Sequence, residues 1–258
     1  MTGSRAAVLW SQVAAHAAAH GHRASVADVC AVAAGPVRGG GAWLVASSAR
    51  GPGFVMCVTD LVCEQLAELQ VMLGEGPCHD VLSSDAPVLA ADLGDNEFVR
   101  RWPAFTLEAR PLGAAAVFAF PLTIGAIRPG VLAVYRSLSG PLTGVQLGDL
   151  LILADAATVL LLGSADHAAD ASAGTADGLK LDGQPPDLAL HRAEIDQATG
   201  MLTIQLGVTI ADAFVRLRAY AYAQDRRLAD VAGDIVARRL RLRADSPQDG
   251  ARDNPACP

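Results

Sequence analysis

HRAEIDQATGMLTIQLGVTIADAFVRLRAYAYAQDRRLADVAGDIVARRLRL, residues 191–242, decides how the C-terminal part of this chain folds. Leu188, Ile195, Leu202 and Leu206 are spaced for one packed stripe on a first helix, Leu188–Leu206. Gly207 ends that helix as a C-cap residue. Thr209 starts a second helix, with Asp212 where a capping-box acid belongs and Ala213, Phe214, Leu217 and Ala221 as the apolar face. Asp225 or Arg227 marks the next turn. Leu228, Val231, Ala232, Ile235, Val236 and Leu240 then recur at the i, i+3, i+4, i+7, i+8 spacing of a third helix.

The same stretch is a charge anomaly. Between Gln184 and Arg243 nine arginines face seven acids, a local balance of +2 on a chain whose net charge is −7. Such asymmetry separates a polyanion-tolerant C-terminal part from an acidic front part. Phosphate contacts need cations, so the candidates are Arg192, Arg216, Arg218, Arg226, Arg227, Arg238, Arg239 and Arg241. Two residues apart on a helix diverge by about 200°; one of Arg216 and Arg218 is therefore free to pair with Asp212 or Glu194. Arg238, Arg239 and Arg241 also fit a solvated helix end that favours the negative pole of the dipole. Tyr220 and Tyr222 read as rim packing rather than a stacking platform for bases.

Outward from this stretch, residues 163–186 (GSADHAADASAGTADGLKLDGQPP) have little to bury and read as a linker. From Asp245 onward the composition is that of a disordered tail. The expected division is residues 1–163, a linker over 164–186, a helical domain over 187–244, and a tail over 245–258. No apolar run reaches the roughly 18–20 residues of a membrane span, and no basic region followed by an apolar core opens the chain. A cytoplasmic protein without a membrane partner is expected. Of the five cysteines, Cys30, Cys57, Cys63, Cys78 and Cys257, none forms a CxxC pair and no His cluster completes a metal-ligand spacing. Free thiols and no metal are expected, with Cys78 the more exposed because of its Gly-rich surroundings.

Residues 1–163 mix helices and short strands. A helix over residues 4–20 ends at Gly21, and a second covers Ser25–Ala34 with Ser25 as N-cap and Asp28 at the third helical position. Strands are expected at Ala42–Ser47, Phe54–Thr59, Val88–Ala91, Ala115–Leu122 and Gly130–Arg136, the first two and the last two joined by turns. Helices are expected at Asp60–Leu73, at Glu97–Arg110 with Pro103 near its first turn, and at Leu147–Leu162. The strand around Val117–Leu122 is apolar on both alternations, so it is covered on both faces. Ser83 and Ser84 are read as loop residues without a nucleophile elbow. The class is α+β with a mostly antiparallel sheet, followed by an all-α three-helix unit.

Five blocks, LGEGPCHD (73–80), PVLAADL (87–93), RRWPAF (100–105), VFAFPL (117–122) and PGVLAVYR (129–136), resemble a GAF domain of the actinobacterial regulatory kind. The resemblance implies a central antiparallel sheet with helices on one face and a pocket-forming loop layer on the other. It also implies a sensing or dimerising role. The ligand stays unknown: no tetrapyrrole-attachment cysteine or cyclic-nucleotide signature is present, and a thiol- or haem-based sensor would draw on Cys57, Cys78 or a histidine. Trp102 and Phe105 read as packing of the rim helix.

IDQATGML (195–202), Gly207, ADAFVRLRAYA (211–221) and LADVAGDIV (228–236) resemble an ANTAR domain, the RNA-binding antitermination module. Many members have Ala-Lys-Gly where this chain has Ala198-Thr199-Gly200, so Thr199 occupies a position expected beside the RNA backbone. The resemblance implies a dimer that binds a two-hairpin motif in nascent RNA, with the helices at 4–20 and 147–162 available to pair between chains. Two rivals are a DNA-binding regulator, with Phe214–Leu240 as a helix-turn-helix, and a sensor whose helical domain has lost RNA binding. An enzyme is the weakest rival, because no acid–base pair or nucleophile–base arrangement is visible and no catalytic residue can be named.

Overall fold

The computed structural model describes residues 2–37, 39–47, 53–84, 86–171 and 186–242. Five strands, β1 (Ala42–Ala46), β2 (Phe54–Val58), β3 (Val88–Ala90), β4 (Ala116–Ile124) and β5 (Ile127–Arg136), form one antiparallel sheet of order β2-β1-β5-β4-β3. All five lie at or within two residues of the positions expected from alternation and turn residues, except that β5 begins earlier, at Ile127.

The pleat sorts side chains to two cores. Leu44, Phe118, Phe120, Leu122, Leu132 and Val134 point to one face. There they meet α1 (Thr2–Ala19), α2 (Val26–Ala34) and α7 (Gly144–Ala171). Trp43, Val45, Val117, Ala119, Val131 and Ala133 point to the other, under α3 (Leu61–Leu73), α4 (Pro77–Ser84) and α6 (Pro103–Ala109). Coverage of β4 on both faces agrees with its unbroken apolar run.

Local signals fix several helix ends. The backbone N–H of Ser25 donates to Asp28 at 2.8 Å, closing the expected capping box. Burial pushes the Asp28 carboxyl up, but hydrogen bonds from His16 and Ser25 outweigh it and hold the group below its ordinary value. Asp60 caps α3 by accepting from the Cys63 N–H at 2.7 Å.

Four expectations are corrected. The turn at Gly74-Glu75-Gly76-Pro77 does not lead into a loop: Pro77 opens α4, which carries Ser83 and Ser84. Proline suits the first helical turn, where its missing N–H has no partner to lose. The layer expected to be loops on this face is therefore helical. The helix expected over Glu97–Arg110 is two, α5 (Asn96–Arg101) and α6, parted at Trp102, whose ψ of 68° is not helical; a residue before proline is pushed away from the helical region. The helix expected at Leu147–Leu162 runs on to Ala171, into the segment read as linker, because alanine is the strongest helix former. Over Gly144–Gly163 that helix is long and apolar enough to cross a membrane by length and composition. Its Leu150, Leu153, Ala157 and Leu161 are instead buried under the sheet. Residues 172–185 of the expected linker and 243–258, with the expected tail, lie outside the described residues.

The thiol expectation is also corrected in part. Cys30 and Cys57 are joined as a disulfide between α2 and β2. Their spacing gave no sign of it; the topology lays α2 over β2 and brings the side chains together. Cys63 and Cys78 are free and buried. Cys78 is not the exposed one: it lies in the first turn of α4 at 3% exposure, and burial pushes both thiols up to about 12. Cys257 lies outside the described residues.

The C-terminal unit is three helices, α8 (Pro186–Leu206), α9 (Ile210–Ala223) and α10 (Leu228–Val236). Gly207, at a φ of 65°, ends α8, and the chain bends by 107° into α9. Thr209 caps α9, its Oγ1 accepting from the Asp212 N–H at 3.1 Å. Ala198, Leu202, Phe214, Leu217, Ala221, Leu228, Val231 and Ile235 form its core. The third helix is shorter than its stripe suggested: it stops at Val236, and Arg238 turns the chain at a φ of 58°.

Candidate nucleic-acid interface

The eight candidate arginines fall into three groups. Arg192, Arg218 and Arg227 face the sheet domain. Arg192 lies over the ring of Phe54 in β2, 3.4 Å from its centroid, with Asp196 at 3.7 Å. Burial lowers its pKa from the ordinary value, and Asp196 opposes that only in part. Arg227 reaches α3 with both arms of its guanidinium, 2.5 Å to Glu64 and 3.0 Å to Glu68. Burial works against its charge, but the two carboxylates outweigh it and raise the pKa. Glu68 also accepts from the Leu228 N–H at 2.9 Å, satisfying a free donor at the start of α10.

Arg218 packs against Gly74 at the end of α3. A Cβ built on Gly74 would stand 2.6 Å from its guanidinium, and the glycine's φ of 70° is left-handed besides. The Arg218 group is 5.6 Å from the Phe214 ring, its Nε is buried without a hydrogen-bond partner among the described residues, and burial lowers its pKa. Arg216, two residues away, diverges from Arg218 by about 200° around α9.

The second group is tied to one acid within the helical unit. Asp234 accepts from Arg226 and Arg239, each at 2.7 Å, and both hold its carboxyl below the ordinary value. The third group, Arg216, Arg238 and Arg241, makes no ion pair among the described residues. Arg238, Arg239 and Arg241 are not a helix end but lie in the turn, bend and irregular segment beyond it. Tyr220 packs at the rim of the helical core, whereas Tyr222 is exposed.

Thr199 is 6% exposed and donates to the Ile195 carbonyl at 2.7 Å. It lines a cleft of about 960 Å³ between α8 and α9 on one side and β2, α3 and α4 on the other. The position where a lysine was expected to meet RNA thus faces the sheet domain. Val71 and Met72 of α3 close this junction against the core of the helical unit.

Glu64, Glu68 and Phe54 were not foreseen as partners. The signal was there in part: carboxylates four residues apart on one helix repel, and such a pair asks for a cation from elsewhere. Among the described residues no group of His, Cys, Asp or Glu is placed to hold a metal ion.

Residues 189–236 match the model of the ANTAR domain, so the three-helix unit is an ANTAR domain. The sheet domain that precedes it is similar to GAF domains of solved structure. One is from a phosphoenolpyruvate-protein phosphotransferase of Coxiella burnetii, 15% identical at a TM-score of 0.49, covering 65% of this chain and 96% of that one. Another is from the Acinetobacter phosphoenolpyruvate-protein phosphotransferase, at 12%, 0.46, 65% and 96%. The GAF-B domain of DevS from Mycobacterium smegmatis gives 16%, 0.40, 55% and 93%. No curated protein matches the chain.

Proposed function

We propose that this chain is an RNA-binding regulator of transcription antitermination, in which a GAF-type sheet domain senses a signal or holds a dimer and the ANTAR domain binds paired hairpins in a nascent transcript. The family match over residues 189–236 carries the reading. The arginine content of the same residues supports it, because affinity for RNA comes largely from phosphate contacts. We place those contacts on Arg216, Arg238 and Arg241, joined by Arg226 and Arg239 at the edge of the Asp234 cluster. Arg192, Arg218, Arg227 and Thr199 become available only when the ANTAR domain leaves the sheet domain. Dimerisation would use the outer faces of α1 and α7, where Val8, Leu151 and Val159 are exposed. The chain acts as a regulator rather than an enzyme, and in the cytoplasm.

A gel shift with an RNA of two tandem hairpins tests this, with duplex DNA of equal length as competitor. Binding should weaken steeply between about 50 and 200 mM salt, and duplex DNA should compete poorly. Removing Arg216, Arg238 and Arg241 together should flatten the salt dependence by roughly 0.7–0.9 in slope for each phosphate that is no longer neutralised. Absence of salt-sensitive RNA binding in any condition would sink the RNA reading; preference for duplex DNA would replace it with the DNA-binding one.

A further inference from the structure

We infer that the outer face of α3 and RNA compete for part of the same set of side chains, so that the docked ANTAR domain binds RNA more weakly than the released one. This rests on the RNA reading above and adds its regulation. Four independent contacts define the docking face. Glu64 and Glu68 engage Arg227. Glu68 caps the first turn of α10 through the Leu228 N–H. Gly74 lies against the Arg218 guanidinium, which stands 2.6 Å from where a Cβ on the glycine would be. Val71 and Met72 extend the apolar core of the ANTAR domain.

The cations used are those that RNA could reach only after undocking. In the docked arrangement Glu64 and Glu68 neutralise Arg227, Phe54 covers Arg192, and Thr199 is inside the cleft. What stays outward is Arg216, Arg238 and Arg241, with two further arginines shared with Asp234. Two carboxylates four residues apart mimic the paired negative charge of adjacent phosphates. A polyanion and the α3 face cannot both occupy Arg227.

Arg227 is half exposed, so water and salt screen its two ion pairs and a polyanion can compete for it. Apparent RNA affinity scales with the fraction of molecules that are undocked, so a molecule docked nine times in ten gains up to about tenfold in affinity when docking is abolished.

The test uses the full chain and the two-hairpin RNA probe. Glu64→Gln with Glu68→Gln removes the ionic contact without touching any arginine. Val71→Asp, at a partly buried position of the junction, breaks the apolar contact independently should the double variant fold poorly. Both should raise the radius of gyration seen by small-angle X-ray scattering and tighten RNA binding several-fold, toward the tenfold limit. Unchanged scattering, or an opened molecule with unchanged RNA affinity, overturns the competition while leaving RNA binding in place. No RNA binding by wild type and opened variants alike removes the RNA reading itself, and the competition with it.

Discussion

The sheet domain and the ANTAR domain use charge in opposite ways. In the sheet domain, ion pairs and a hydrogen bond bind the domain to itself: Arg5 of α1 holds the buried Asp149 of α7, Arg101 reaches Asp80 across the helical layer, and His16 of α1 hydrogen-bonds Asp28 of α2. Among the described residues of the ANTAR domain, Arg226 and Arg239 are satisfied internally by Asp234, and Arg192 has Asp196 at 3.7 Å on its own helix. Arg192, Arg218 and Arg227 all find their surroundings on the other domain. The apolar cores show the same contrast. The sheet is covered by helices on both faces, whereas three helices share one small core that Val71 and Met72 help to close.

That contrast is broken most strongly at the two cores. Phe120 is fully buried in the middle of the sheet, and Phe120→Ala should destabilise by about 3–5 kcal/mol. Leu217 is its counterpart in the ANTAR core, where Leu217→Ala should cost about 2–5 kcal/mol. All three tryptophans, Trp10, Trp43 and Trp102, lie in the sheet domain, so tryptophan fluorescence follows that domain alone and circular dichroism follows both. Phe120→Ala should shift the fluorescence transition in urea, and Leu217→Ala should shift the helical signal with little change in fluorescence. Coincident shifts in both probes for Leu217→Ala would mean that the domains unfold as one unit and that the ANTAR core is not separate.

The sheet domain is sharpened further by its thiols. Burial raises Cys63 and Cys78 to about 12 from an ordinary value of 9.0. A raised folded pKa on a group that is neutral when protonated stabilises the fold fully below the unfolded value. That contribution is lost as pH climbs from about 9 toward 12, at up to about 1.4 kcal/mol per unit and thiol. The urea midpoint should therefore fall between pH 9 and 11, and less so in a Cys63→Ala, Cys78→Ala variant. In a Cys257→Ala background, neither thiol should react with Ellman's reagent at pH 8 until denaturant is added. Rapid reaction in the native state would show that the layer over the sheet opens.

The two regions also differed in how far the sequence disclosed them. Strands and ANTAR helices could be read because their signals are local: an unbroken apolar run in β4, a capping box at Thr209, a left-handed glycine at Gly207. The helices that were missed or merged turn on proline, which both ends and begins elements. Pro77 opens α4 behind what reads as a turn, and Pro103 opens α6 by breaking the helix at Trp102. The arginines could be named but not sorted, since all eight carry the same charge in the sequence. What separates Arg227 from Arg216 is Glu64 and Glu68, more than a hundred residues earlier. The Cys30–Cys57 pairing was invisible for the same reason: it depends on α2 lying over β2.

The smallest expected effect probes the ANTAR domain at its most local feature. The Thr209 hydroxyl accepts from the Asp212 N–H at 3.1 Å and donates to the Asp212 carboxylate at 2.7 Å, both at the surface. Asp28, in the matching box of the sheet domain, is 1% exposed and bonded to His16 as well. Thr209→Ala leaves one free N–H at the first turn of α9, which water can reach, so the loss should be about 1 kcal/mol. Asp28→Ala strips a buried network and should cost more, because donors left without a partner away from water carry their full desolvation cost. Urea melts followed by circular dichroism should rank the two in that order, with tryptophan fluorescence responding to Asp28→Ala alone. Equal losses would mean that the α9 cap is held by the docked sheet domain as well as by its own residues.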